Sequence, residues 1–131
     1  MTLIETNRTF INLGFATVKM REDGIVNTNI LFSGSATLEQ ATELFNAYKE
    51  VTKGIKTPHL FTVAKLAIME KDVMEFLSKV SPTYGKADAF VIHSLAQKII
   101  ATAFIKFQKP AIPTNFFSSE KEATKWLTQY L

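Results

Sequence analysis

The feature that most constrains this chain is a switch between two hydrophobic periods, repeated several times along its length. Phe15 to Arg21 alternates, with Ala16, Val18 and Met20 on one face and Thr17, Lys19 and Arg21 on the other. After Glu22-Asp23-Gly24 the chain resumes at Ile25, and Val26, Thr28, Ile30 and Phe32 share a face. Asp-Gly between two alternating runs signals a hairpin, because glycine accepts the positive φ that tight hairpin turns require. From Thr37 onward helical spacing takes over, and helices then alternate with short β-branched or apolar runs.

The helix starts are marked locally. Thr37 with Gln40, Ser94 with Gln97 and Ser119 with Glu122 each have the spacing of a capping box, in which the two side chains satisfy orphan N–H groups of the first turn. Leu38, Ala41, Leu44, Phe45, Tyr48 and Val51 form the first helical stripe, and Gly54 is the expected left-handed cap. A strand is expected from about His59 to Leu66, a second helix over Val73, Phe76, Leu77 and Val80 that stops before Pro82, and a buried strand over Ala87 to Ile92. The third helix, ending before Pro110, is apolar around most of its circumference apart from Lys98, Thr102, Lys106 and Lys109, which predicts deep packing. Thr114 to Phe117 reads as a short strand, and the last helix sets Ala123, Trp126, Leu127, Tyr130 and Leu131 on one side.

Strands alternating with helices imply parallel neighbours joined by right-handed crossovers. The expected fold is therefore α/β: a mixed sheet with an N-terminal antiparallel hairpin, parallel β-α-β units, and about four helices packed on it. A chain of 131 residues, 47 % hydrophobic and 21 % charged, suits one ordinary globular domain. Residues 15–131 are assigned to that domain and residues 1–14 to an arm or extra strand.

Composition closes several functional routes. There is no cysteine, hence no disulfide, thiolate nucleophile or sulfur-ligated zinc. The two histidines fall in separate strand regions, and no short-spaced His or carboxylate cluster has the pattern of a metal site. The glycines are dispersed and form no phosphate-cradling loop or Gly-x-Ser-x-Gly elbow. No cofactor is implied. No segment approaches the roughly 20 apolar residues of a bilayer span, the N-terminus lacks a secretory pattern, and a cytoplasmic location is expected. The net charge of +3 is too mild to point to nucleic acid.

Two stretches carry a family resemblance. Ala87-Asp88-Ala89-Phe90-Val91-Ile92-His93-Ser94 with Gln97, then Phe107-Gln108-Lys109-Pro110-Ala111-Ile112-Pro113-Thr114-Asn115-Phe116-Phe117, resemble the second half of SpoIIAA-like (STAS-related) proteins. The closing Glu120-Lys121-Glu122-Ala123-Thr124-Lys125-Trp126-Leu127 does so too, and Arg21-Glu22-Asp23-Gly24-Ile25 agrees more loosely. The resemblance spans about residues 15–131 and implies a STAS-like α/β fold, distantly similar to the lipid-binding CRAL-TRIO fold. It also implies a small bacterial regulatory or interaction domain, not an enzyme. Anti-anti-sigma factors of this type are phosphorylated on a hydroxyl after the third strand. Here the corresponding Ala67-Ile68-Met69-Glu70-Lys71-Asp72 has no hydroxyl side chain, so that switch is not expected.

Ligands of open α/β sheets bind at the carboxyl ends of the strands, where helix N-termini favour anions. Ser33, Gly34, Met69, Glu70, His93, Ser94, Ser118 and Ser119 are expected near that end. The bland alternative is that Ser94 and Ser119 only cap helices. Glu70 or Asp72 beside His93 would make at most a crude acid–base couple. Lys106, Lys109, Ile112 and Phe117 are the candidates for an interface with an unidentified protein partner or a second copy of the chain. The alternative function is a CRAL-TRIO-like carrier of a small apolar or lipid ligand, which the distant CRAL-TRIO similarity implies and the eleven phenylalanines suit.

Overall fold

The computed structural model describes residues 5, 6 and 9–131. The strands are β1 (Glu5–Thr6), β2 (Phe10–Asn12), β3 (Ala16–Met20), β4 (Val26–Ile30), β5 (Gly34–Ser35), β6 (Thr57–Val63), β7 (Ala67–Ile68), β8 (Gly85–Val91) and β9 (Thr114–Phe117). The helices are α1 (Leu38–Thr52), α2 (Lys71–Tyr84), α3 (Leu95–Ala103) and α4 (Glu120–Leu127). A π-helical turn, Phe104–Gln108, continues α3, and a 3-10 turn, Thr128–Tyr130, continues α4. Seven strands form one sheet in the order β1-β2-β3-β4-β6-β8-β9, and β5 pairs with β7 in a small second ladder.

The expected mixed sheet is present: β1 to β4 run antiparallel to one another, and β4, β6, β8 and β9 are parallel. Within the expected N-terminal arm or strand, β1 and β2 extend the antiparallel ladder, while residues 1–4, 7 and 8 lie outside the described residues. The hairpin between β3 and β4 turns through Arg21–Ile25, closed by Arg21 N–H to the Ile25 carbonyl at 2.9 Å, with Gly24 at φ +89°. Strand β9 stands at the far edge, preceded by Pro113. The Asn115 side-chain oxygen accepts from the N–H of Phe116 at 2.8 Å.

Alternation along the strands separates two layers. On one side α1 and α2 pack against Ala16, Val18, Val26 and Phe61, with Leu44, Phe45, Tyr48 and Val51 pointing down from α1. On the other side α4 covers Ile25, Leu60, Ala87, Ala89 and Val91 with Ala123 and Leu127. The Thr37 box forms completely: its Oγ1 accepts from Gln40 N–H at 3.1 Å and Gln40 Oε1 accepts from Thr37 N–H at 3.0 Å, a cap worth about 1 kcal/mol. Left-handed geometry at the end of α1 begins one residue early, at Lys53 (φ 54°), and continues through Gly54 (φ 78°).

Two features depart from expectation. Helix α2 does not stop at Pro82 but runs on to Tyr84. Proline there removes one helical N–H in the last turn, and packing of Val80 and Tyr84 into the core, with Tyr84 5.3 Å from the Phe45 ring, outweighs that loss. Helix α3 is not deeply packed. Only Gln97 and Ala101 are buried on it, followed by Phe104 in the π turn. Its neighbours hold it along one side, and the rest of its apolar circumference faces solvent.

Candidate functional site

The carboxyl ends of β8 and β9 and the outer side of α3 enclose a cleft of about 840 Å³. Of the sequence candidates, His93, Ser94, Lys106, Phe117 and Ser118 meet there, joined by Lys98. Ser94 Oγ accepts from Gln97 N–H at 3.1 Å, so this serine is a helix cap. Ser119 plays the same part for α4, accepting from Glu122 N–H at 3.2 Å. The remaining candidates lie elsewhere. Ser33 and Gly34 lead into the β5–β7 ladder, where Gly34 N–H bonds the Leu66 carbonyl at 2.9 Å. Glu70 is the N-cap of α2 and makes no side-chain cap bond, while Asp72 accepts from Val73 N–H. Neither carboxylate forms an ion pair with His93 among the described residues. Lys109, at φ 46°, ends the π turn, and Ile112 packs half-buried over Gly85 at the start of β8.

Gln97 organises this end of the molecule in a way its box spacing did not announce. Its Oε1 accepts from the His93 N–H at 2.8 Å, not from the cap residue itself. Its Nε2 donates to the carbonyls of Ala64 at 2.6 Å and Ala67 at 2.9 Å. One buried amide thereby ties α3 to the turn between β6 and β7. Removing it takes the side-chain partner from the His93 N–H and the Ala67 carbonyl, whereas the Ala64 carbonyl still accepts from Ala67 N–H at 3.0 Å. A backbone group left unpaired costs about 1–3 kcal/mol if it stays buried.

Beneath α3 lies a second, inner cavity of about 110 Å³. Met69, from the candidate list, reaches it. Its floor is a row of rings that parallel register sets side by side on β6, β8 and β9. Phe61 and Phe90 stack at 4.6 Å, and Phe90 and Phe116 at 5.2 Å. Ile92, Ala101 and Phe116 line both the inner cavity and the outer cleft, so the two spaces adjoin.

At the opposite, amino-terminal end of the parallel strands sits a buried polar group that sequence reasoning passed over. His59 Nδ1 lies 3.8 Å from Asp88 Oδ1, and Ser81 Oγ donates to Asp88 Oδ2 at 2.6 Å. Burial pushes the His59 imidazole down to about 4 and the Asp88 carboxyl up to about 6, with the Ser81 bond opposing the latter. Burial also drives the Tyr48 phenol upward; the hydrogen bond from Thr28 opposes that rise and the nearby Asp88 charge adds to it. At neutral pH His59 is therefore uncharged, and 3.8 Å is too long for a hydrogen bond, so the contact is not an ion pair. His59 and Asp88 are far apart in sequence; only the β6–β8 register makes them neighbours.

The outer side of α3 carries its own signal. Leu95 is 74 %, Ile99 61 % and Phe107 71 % exposed. Lys98, Lys106 and Lys109 are exposed among them, with Lys106 Nζ 5.5 Å from the Phe107 ring centroid. No Asp or Glu occurs between Asp88 and Glu120 to balance them.

The family is decided by the match of a sequence model over residues 19–131. The chain belongs to the family described as a domain of unknown function, DUF7793. No curated protein matches it. Among solved structures it is similar to an uncharacterised protein of the DUF3478 family with a SpoIIAA-like fold from Shewanella loihica PV-4. That likeness has a TM-score of 0.63 at 17 % identity and covers 88 % of this chain and 96 % of the other. A protein of unknown function from Arthrobacter sp. FB24 matches at 22 % identity over 84 % of this chain and 96 % of its own, with a TM-score of 0.33. This DUF7793 member thus has the SpoIIAA-like fold expected from its second half. No described helix is long and apolar enough to cross a membrane.

Proposed function

We propose that this DUF7793 chain is a non-enzymatic interaction domain that docks an acidic protein surface through the outer side of α3. The observation that carries this is the exposure of Leu95, Ile99 and Phe107, interleaved with Lys98, Lys106 and Lys109, along a stretch with no acidic residue. Apolar side chains clustered on one helix and rimmed by one sign of charge are what a specific partner of opposite charge would cover. A second copy of the chain fits less well, because two-fold pairing of this face with itself would set lysines against lysines.

The test is a photo-cross-linking residue placed at Ile99 in the native host, with the same residue at exposed Lys125 on α4 as reference. Docking through α3 predicts a protein adduct from position 99 that is absent from position 125 and lost in Lys98→Glu with Lys106→Glu. An adduct pattern common to both positions, or one indifferent to charge reversal, would overturn it.

A further inference from the structure

None of the docking side chains Leu95, Lys98, Ile99, Lys106, Phe107 and Lys109 lines the inner cavity, and its walls say what fits. Small residues on three elements, Ala41 on α1, Ala67 on β7 and Ala101 on α3, face the Phe61–Phe90–Phe116 floor and leave about 110 Å³ unfilled. Interiors are normally packed with few voids larger than a water. The polar groups on the walls are already committed. The Gln97 amide bonds Ala64, Ala67 and His93; Gln40 bonds Thr37; and the Tyr48 hydroxyl is held by Thr28. Among the described residues, no lysine, arginine, histidine or carboxylate lines the space. A water molecule there would lack the two to four partners it needs, and an ionic head group would be desolvated without compensation. Apolar cavities of about 150 Å³ stay dry and take up benzene or xenon, whereas pockets for larger ligands run from about 300 Å³ upward.

We infer that the cavity under α3 is a binding site for a neutral, apolar molecule about the size of one aromatic ring. The stacked phenylalanines give it a flat apolar face, and α3 is its lid. Entry is expected where the lining remains partly exposed, at Phe32, Ala36, Gln40 and Met69. The volume is small for an extended acyl chain, and the described lining offers no charged side chain to pair with a buried carboxylate.

Toluene and octanoate serve as probes, read by thermal unfolding and by methyl NMR of the full chain. Toluene is expected to raise the unfolding midpoint of the wild type and to shift the methyl signals of Leu44, Ala67, Ile100 and Ala101. Octanoate is expected to do neither. Ala101→Leu, which fills the space from the lid, should bind toluene roughly tenfold more weakly or worse. Ala41→Val, from the opposite wall, should weaken it in the same direction and guards against a lid variant that fails to fold. The site is refuted if toluene leaves the wild-type midpoint and those signals unmoved, or if folded variants of both walls bind it undiminished. Equal binding of octanoate overturns the neutral character assigned to the ligand. None of these results depends on whether position 99 finds a partner.

Discussion

Helices α3 and α4 begin alike and end differently. Each follows a strand of the same parallel sheet, each opens on a serine whose hydroxyl accepts from the N–H three residues on, and each carries an apolar stripe. Helix α4 buries Ala123 and Leu127 fully and Trp126 in part, whereas α3 leaves Leu95 and Ile99 in solvent. What differs is the receiving surface. Beneath α4 the sheet presents Ala87, Ala89 and Val91, small side chains that let the helix approach closely. Beneath α3 lie bulky rings and an unfilled space, and the helix is held by one amide and two side chains. A cap and a period make a helix; its neighbours decide which side of it is inside.

The sharpest way to break this contrast is a pair of truncations. Leu127→Ala should cost about 2–5 kcal/mol of stability, and Leu95→Ala should stay within about 0.5 kcal/mol, both by urea unfolding. Similar losses for the two would erase the distinction.

Gln97→Ala comes next. It should cost roughly 1–3 kcal/mol through the backbone groups it leaves unpartnered. Hydrogen exchange should then quicken across residues 64–68 and 93–101 while α4 remains protected. Uniform quickening over both helices would mean that the amide is not a local tie.

The side of the sheet that carries the cavity also holds the titrating pair, and among the described residues the α4 side has no counterpart with a shifted value. His59, lowered from 6.5 to about 4, contributes stability above 6.5 that is lost as pH falls through about 4. Asp88, raised from 3.8 to about 6, contributes stability below 3.8 that is lost as pH rises through about 6. Between about pH 4 and pH 6 the two slopes oppose, so each variant should expose the other's. Relative to wild type, Asp88→Asn should gain stability with rising pH across that window, and His59→Phe should lose it, by roughly 1–3 kcal/mol in all. Parallel profiles for both variants would show that the pair does not titrate as described.

The smallest effect expected is that of Leu95→Ser with Ile99→Ser. Stability should hold within about 0.5 kcal/mol, while retention on a hydrophobic column falls. Unchanged retention would mean that these side chains are not the accessible apolar surface.

These differences also mark what the sequence could and could not say. The Thr37–Gln40 box was legible because both partners lie within one turn. The β3–β4 hairpin was legible because alternation and Asp-Gly are local. The SpoIIAA-like fold followed from the order of such elements together with the Lys109–Phe117 stretch. The exposure of α3 was not legible, since periodicity reports that a helix has an apolar side and not whether anything will cover it. Pro82 was misread because a proline signal weighs the lost N–H and not the packing of Tyr84. Of the candidate site, His93, Ser94 and Ser118 could be grouped from strand ends alone. The His59–Asp88 contact and the phenylalanine row needed a register between strands, which no single stretch contains.

The edge strand β9 bears on how this molecule meets others. A free strand edge invites another chain to add to the ladder. Here the edge is four residues long and has the outward Phe116 N–H already taken by the Asn115 side chain. Crowding such molecules together in the cell should therefore not zip their sheets end to end, and polymerisation by strand addition at this edge is blocked by its own side chain.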